Sequence, residues 1–326
     1  YSPDRIGNDD LKWESTRQID IGIDAAFYEG RISFTTDYYN KLTYDMLYYA
    51  EVPYTSGFSN AMTNVGSMVN NGFEFTLNTA NLVHAFKWNT DLSFSMNKSR
   101  ITDLNNNDAT YISDDEYKLK IGYWSVIDVG EELGSFFGLE ADGIWQSDES
   151  DEAALYGAQP GDFKYIDQNN DTLINADDRL IIGHAQPDFM WSLNNTFDYK
   201  NFELTIYLQA VHGNDILNSN RFELESGNGL SNASIDMLDR WTPDNPSNTY
   251  PRANRNVDYL HMSDRYLEDG SYIRLQLLSL SYNFPAKLLG KSGLYGAKIY
   301  FTGKNLLTFT RYTGFDPEVS VGSRVS

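Results

Sequence analysis

The feature that most restricts the fold is strict two-residue alternation over a long stretch, QIDIGIDAAFYEGRISFTTDYYNKLTYDM at residues 18–46. Successive side chains of a strand point to opposite faces, so a period of two marks a sheet with one apolar and one wet face. Ile19, Ile21, Ile23, Ala25 and Phe27 fall on one face; Gln18, Asp20, Gly22, Asp24 and Ala26 fall on the other. After them Ile32, Phe34, Thr36, Tyr38, Leu42 and Tyr44 alternate with Arg31, Ser33, Thr35, Asp37, Lys41 and Thr43. Glu29-Gly30 reads as the hairpin turn, Gly30 being free to take a positive φ. The second strand is expected over 31–47. At about 3.3 Å per residue it would reach roughly 55 Å, enough to cross a bilayer and project beyond it.

The pattern recurs. Phe86, Trp88, Leu92, Phe94 and Met96 share a face opposite Lys87, Asn89, Asp91, Ser93, Ser95 and Asn97. Phe202, Leu204, Ile206, Leu208 and Ala210 alternate with Glu203, Thr205, Tyr207 and Gln209. Strands are expected at 15–28, 31–47, 67–79, 85–100, 189–199, 202–212, 271–283 and 297–310, in antiparallel hairpins. The links alternate in length: 29–30, 81–84, 200–201 and 284–296 are short, whereas 48–66, 101–188 and 213–270 are long. Whether 119–146 adds two further strands is left open by the pattern. One helix is expected, NASIDMLDRW at 232–241, capped by Asn232 or Ser234 and stopped by TPDNP.

No run of about 18 apolar residues exists, so no transmembrane helix is expected. A β-barrel crosses instead with alternating segments, short turns at one end and long loops at the other. Tyr28 and Arg31 flank one short turn and Tyr199 and Phe202 another, as in an interfacial girdle. On that reading Asp20, Asp24, Asp37, Asn89 and Asp91 face the lumen. A soluble β-sandwich or solenoid alternates too, and stays open as the competing fold. The net charge of −21 argues against nucleic acid and anionic membrane surfaces as partners. The absence of cysteine removes disulfides and thiol chemistry. The first residues, YSPDRIGNDDLKWE, do not read as a signal peptide.

Several blocks together resemble the SusC/RagA-like TonB-dependent outer-membrane transporters. They are DLKWESTRQIDIGID (10–24), FYEGRISFTTDYYNKLTYDML, NVGSMVNNGFEF (64–75), GSFFGLEADGIWQ (134–146) and QPGDFKYIDQNNDTLINADDRLIIGHAQPDF (159–189). DRWTPDNP (239–246), PRANR (251–255), LEDGSYIRLQLLSLSYNFP (267–285) and KNLLTFTRYTGFDPE (304–318) follow in order. The resemblance implies an all-β fold, the C-terminal portion of a large antiparallel transmembrane β-barrel with long extracellular loops. It implies that residues 1–326 are a partial barrel, with the plug, the TonB box, the first strands and a last strand elsewhere or missing. It implies TonB-dependent import of oligosaccharides or peptides with a SusD-like surface lipoprotein as partner. The alternative is a soluble, calcium-stabilised extracellular β-protein that binds glycans.

One loop carries the spacing of a calcium site, DQNNDTLINADD. Asp167, Asn169 and Asp171 stand at positions 1, 3 and 5, the Leu173 carbonyl at 7, Asn175 at 9 and Asp178 at 12. Thr172 replaces the usual glycine and Asp178 the bidentate glutamate, so a loop capped by its own Asx side chains is the competing reading. His84, His184, His212 and His261 lack metal-ligand spacing, and no catalytic constellation is seen, so no enzyme is expected. Tyr48, Tyr49, Tyr54, Trp124, Trp145 and Trp241 are candidates to stack on sugars or meet a lid. Asp239, Arg240, Trp241, Pro243 and Pro246 are the expected contact segment for that lid, by position and resemblance.

Overall fold

The computed structural model describes residues 6–51, 54–58, 60–64, 66–104, 110–113, 123–225, 232–254, 261–290 and 293–318. The chain divides into two compact units. The first comprises Tyr1–Asn107, Pro187–Asn214 and Gly270–Arg311; the second comprises Asp108–Gln186, Asp215–Asp269 and Tyr312–Ser326.

The first unit is built on one eight-stranded sheet. Its strands are β1 (Ser15–Phe27), β2 (Ile32–Tyr44), β5 (Ser67–Val83), β6 (Phe86–Asp103), β13 (Phe189–Tyr199), β14 (Phe202–His212), β17 (Tyr272–Asn283) and β18 (Lys298–Thr310). They lie side by side in that order, and every ladder is antiparallel. All eight expected strands are present. Among the described residues β1 and β18 each pair on one side only, so the sheet has two open edges.

Strand 2 corrects the expectation. It spans 13 residues rather than the whole of 31–47. Asp45 takes φ +57°, a conformation that leaves the pleat, and Met46 N–H then donates to the Gly66 carbonyl at 3.0 Å. Beyond this break β3 (Leu47–Glu51) pairs with β4 (Asn60–Asn64) as a separate hairpin. The longest strands are β5 and β6, of 17 and 18 residues. The first turn covers Tyr28–Arg31, where Tyr28, Glu29 and Gly30 all have positive φ and Arg31 N–H donates to the Tyr28 carbonyl at 3.2 Å.

The second unit holds a small four-stranded sheet, ordered β12 (Leu180–His184), β9 (Ser135–Gly138), β8 (Tyr123–Ile127) and β7 (Thr110–Ser113). Two-stranded ladders join β10 (Ala141–Ile144) to β11 (Phe163–Tyr165) and β15 (Asp215–Leu217) to β16 (Leu267–Asp269). The stretch left open at 119–146 therefore supplies three strands, none of them in the large sheet; its residues 119–122 lie outside the described set. Phe136, Leu139, Ile144, Phe163, Tyr165, Phe222, Trp241, Met262 and Tyr266 form one buried cluster, the core of this unit.

The expected helix at 232–241 is only a 3₁₀ turn, Ile235–Asp239. Ser234 Oγ caps it by accepting from Asp236 N–H, but Arg240 already turns extended at ψ 156°, so no second turn forms. The α-helices are short and lie elsewhere: α1 (Ser150–Leu155), α2 (Ser219–Leu224) and α3 (Ala286–Leu289). Among the described residues no helix is long and apolar enough to cross a membrane, which says nothing of a β-barrel.

Candidate functional site

Register decides what the large sheet presents. Ile21 lies opposite Tyr38, Tyr38 opposite Phe73, and Phe73 opposite Met96. One level along, Phe75 lies opposite Phe94, Phe94 opposite Trp191, and Trp191 opposite Ala210. Leu204 then meets Leu280, and Leu280 meets Phe301. The apolar positions of all eight strands thus share one face, because antiparallel partners directly opposite point the same way. A β-bulge between Leu275 and Leu277 shifts parity once, which keeps Leu275 and Leu278 both on that face.

Within this unit the face is uncovered. Ile21 is 66% exposed, Ile299 61% and Phe301 76%. An apolar surface of this extent marks a membrane or partner surface rather than a water-facing one. A soluble sandwich would cover such a face with a second sheet. Aromatics concentrate toward the short-turn end. Phe86 lies 6.4 Å from Tyr199, Trp88 stacks on Phe197 at 5.8 Å, and Phe202 meets Tyr282 at 4.7 Å.

The opposite face is polar, and all five residues expected to line a lumen lie on it. Asp20 accepts from Gln18 Nε2 at 2.7 Å, and Asp24 accepts from Thr35 Oγ1 at 2.6 Å. Asp37 stands opposite Gly22 on one side and Glu74 on the other. Asn89 pairs in register with Thr196, and Asp91 accepts from Asn194 Nδ2 at 3.1 Å. The structure brings Asp20, Asp24 and Asp37 together around Gly22, whereas Asn89 and Asp91 lie on β6, nearer its turn with β5.

Sequence reasoning missed other features of this face. A recess of about 340 Å³ is lined by Glu74, Ser93, Ser95, Ser192, Tyr207 and Gln209 among others. Arg274 is buried and donates through Nε to Thr308 Oγ1 at 3.0 Å. Tyr39 lies across Gly72 and donates its hydroxyl to Asn97 Oδ1 at 3.0 Å, reaching two strands over. A strand glycine opposite a tyrosine was the available signal for that last arrangement.

In the second unit the 167–178 loop closes on its own hydrogen bonds. Asp167 accepts from Thr172 N–H at 2.8 Å and Asp171 N–H at 3.3 Å. Asn169 Oδ1 accepts from Asp171 N–H at 2.9 Å, and Asp171 Oδ1 from Leu173 N–H at 2.8 Å. Asn175 Oδ1 accepts from Asp177 N–H at 2.8 Å. Asp178 is fully buried, with its two oxygens accepting from Gln168 and Asn175 N–H at 3.0 and 2.8 Å. Asn170 and Thr172 take positive φ to permit these bonds. Desolvation pushes the Asp167 carboxyl up, but the N–H groups of Thr172, Asn170 and Asp171 and the Tyr156 hydroxyl outweigh it and hold the group below the usual aspartate range. Among the described residues no three His, Cys, Asp or Glu side chains gather as metal ligands, so a cation here would need the amide and carbonyl oxygens of Asn169, Leu173 and Asn175.

The three loop tryptophans are placed for packing rather than as a sugar platform. Trp241 is 7% exposed, inside the core cluster, and donates Nε1–H to Gln146 Oε1 at 3.0 Å. Trp145 is buried and stacks on Tyr156 at 5.8 Å, and Trp124 packs against Phe136. Within the expected lid-contact segment Trp241 is therefore a packing residue. Arg240 is half-buried and donates to the Met237 carbonyl, while Asp239, Pro243 and Pro246 are exposed. Tyr48 is half-buried; the side chains of Tyr49 and Tyr54, and residue 255 of PRANR, lie outside the described set.

A sheet of antiparallel strands with one exposed apolar face, one polar face and aromatics at the short-turn end is the wall of a transmembrane β-barrel. The comparisons give the family. Residues 1–153 match the family described as TonB dependent receptor-like, beta-barrel. TonB-dependent receptor P3 of Formosa agariphila is 38% identical over 97% of this chain and 32% of its own length. TonB-dependent receptor SusC of Bacteroides thetaiotaomicron is 29% identical over 97% of this chain and 30% of its own. A solved structure of the RagAB peptide transporter superposes with a TM-score of 0.82 at 26% identity, covering 97% of this chain and 34% of that one. The chain belongs to the SusC/RagA-like TonB-dependent receptors and is an outer-membrane β-barrel protein. It spans about a third of the length of the curated relatives it matches.

Proposed function

We propose that the complete polypeptide imports large nutrients, oligosaccharides or peptides, across the outer membrane, driven through TonB and working with a SusD-like surface lipoprotein. One observation carries this reading: a polar face continuous across eight strands, set against an apolar face that fits lipid. In a barrel, a face of that kind lines an aqueous interior. Asp20, Asp24, Asp37, Asn89 and Asp91 are then wall groups that tune passage without reacting with cargo. The two open edges support the same reading, since exposed strand edges pair with further strands in a closed barrel. Eight strands closed alone would leave an interior filled by side chains, too narrow for such cargo. The similar RagAB protein is a peptide transporter, which supports peptides as one cargo class; oligosaccharides are the other class we propose.

The exposed Asp239, Pro243 and Pro246 are proposed as the lid-contact edge, with Trp241 supporting them from within. A structural calcium ion in the 167–178 loop is a separate proposal. Asp167, Asn169 and Asp171 are at the spacing that hard cations use.

The test is uptake of fluorescent oligosaccharides and of fluorescent peptides by cells carrying or lacking the gene. Import of one class that vanishes on deletion and on collapse of the proton-motive force is the expected result. Uptake indifferent to both would overturn the proposal.

A further inference from the structure

The connection between β17 and β18 differs from its neighbours at the short-turn end. β1–β2 is closed by Tyr28–Arg31, β5–β6 by His84 and Ala85, and β13–β14 by Lys200 and Asn201. The connection 284–297 is far longer; its described residues, 284–290 and 293–297, contain the helix α3 and carry apolar side chains outward. Leu288 is 66% exposed, Leu294 56%, and Tyr295 is fully exposed. Its described residues close on one another. Phe284 N–H donates to the Ala297 carbonyl at 2.9 Å, Leu288 N–H to the Pro285 carbonyl at 2.9 Å, and Leu289 is buried.

We propose that this connection is an interfacial foot, which seats Leu288, Leu294 and Tyr295 at the headgroup–acyl boundary of the inner leaflet of the outer membrane. Continuity with the lipid-facing wall carries the assignment. Phe202 and Tyr282 lie on the apolar face, 4.7 Å apart, and Phe284 meets Tyr282 edge-on at 5.2 Å with the same strand parity. Ile299, opposite Tyr282, extends the same apolar surface. The exposed leucines and tyrosine thus prolong a membrane surface rather than start an isolated patch. Short turns mark the periplasmic end of such barrels, which fixes the leaflet. Side chains of this mix, apolar with a tyrosine tip and an exposed Lys287 able to reach phosphate, suit the interface plane.

The experiment places an environment-sensitive fluorophore on Leu288→Cys in the complete transporter, reconstituted in phospholipid vesicles. Quenching by lipids spin-labelled near the top of the acyl chain should exceed quenching by aqueous iodide about threefold or more, as expected for a side chain seated at the boundary. Stronger quenching by iodide would place the residue in water and overturn the proposal. Protection from both quenchers would show a protein occupant, such as another part of the polypeptide, and would equally overturn it. Where Leu288→Cys fails to insert, Leu294→Cys gives the same readings from the loop side of the segment.

Discussion

The large sheet and the loop unit draw on the same residue types and dispose them oppositely. In the sheet, Ile21, Phe301 and Phe309 stand exposed by half or more of their surface. In the loop unit, Phe136, Trp241, Met262 and Tyr266 are almost wholly buried. Polar groups follow the inverse rule. The sheet gathers Asp20, Asp24 and Asp37 on an open face, whereas the loop unit pairs several of its interior charges and caps Asp178 with backbone N–H groups. Arg221 reaches Glu225 at 2.8 Å and Glu268 at 3.2 Å, and Arg265 reaches Glu225 at 2.7 Å. A unit folded in water must bury its own apolar surface; a unit folded in lipid need not. The contrast between the two regions is therefore a contrast of solvents.

Substitutions of opposite character should separate them. Trp241→Ala removes a large ring from the loop core and orphans Gln146 Oε1, and should cost the loop unit about 3–5 kcal/mol. Near-ultraviolet circular dichroism during thermal melting reads that loss. An unchanged loop transition would mean that Trp241 is held from outside the cluster. The same truncation at Phe301, 76% exposed on the lipid face, forfeits mainly contacts with lipid and should cost clearly less.

Parity gives the next largest effect. Ile206 sits mid-strand on the apolar face of β14, and its neighbour Thr205 sits on the polar face. Ile206→Arg should cost about 2–4 kcal/mol near the bilayer midplane, while Thr205→Arg should cost little, since wet lumen faces tolerate charge. Folding titrations of the complete polypeptide into lipid vesicles measure both. Equal penalties would remove the distinction between the two faces.

A subtler change tests the polar face from within. Gly72 lets the Tyr39 ring cross β5, and a Cβ at that position would overlap the ring. Gly72→Val should therefore displace Tyr39, break its bond to Asn97 and cost about 1–3 kcal/mol as an overpacked site. The double variant with Tyr39→Ala should recover most of that loss. Failure to recover would point to strand geometry rather than overlap.

These tests also show what the residues made legible. The two faces could be read because a strand's period is two and register preserves it across partners, from Ile21 through to Phe301. The end of β2 could not, because Asp45 adopts a positive φ with nothing in KLTYDML to announce it. The loop sheet was only partly legible: two further strands were left open at 119–146, where β8 and β9 lie, but its strands run only four or five residues, too few for a period to settle them. Trp241 was visible as an aromatic, but its role rests on Gln146, a partner 95 residues away. The Arg221–Glu225 pair had a sequence signal in its i,i+4 spacing, on a helix of six residues that no periodicity revealed.

The smallest expected effect concerns the 167–178 loop, where self-capping and cation binding use the same oxygens. Weak extracellular calcium sites bind at about 10⁻⁴–10⁻³ M. At ten times such a constant, linkage adds about 1.4 kcal/mol to the loop unit, read as a rise in Tm on adding calcium and its loss on chelation. Asp171→Ala should abolish the rise, because it removes the central carboxylate. The pH dependence has a definite sign. The Asp167 carboxyl is held below its ordinary range, so its contribution is present above the unfolded value near about 3.9 and is lost as pH falls through the lower folded value. The calcium response should hence persist at pH 5 and fade only as pH falls below the ordinary aspartate range. A Tm that ignores calcium at neutral pH in the native sequence would leave the loop as a self-capped Asx turn, and the loop unit would owe its order to the Trp241 core and the paired charges alone.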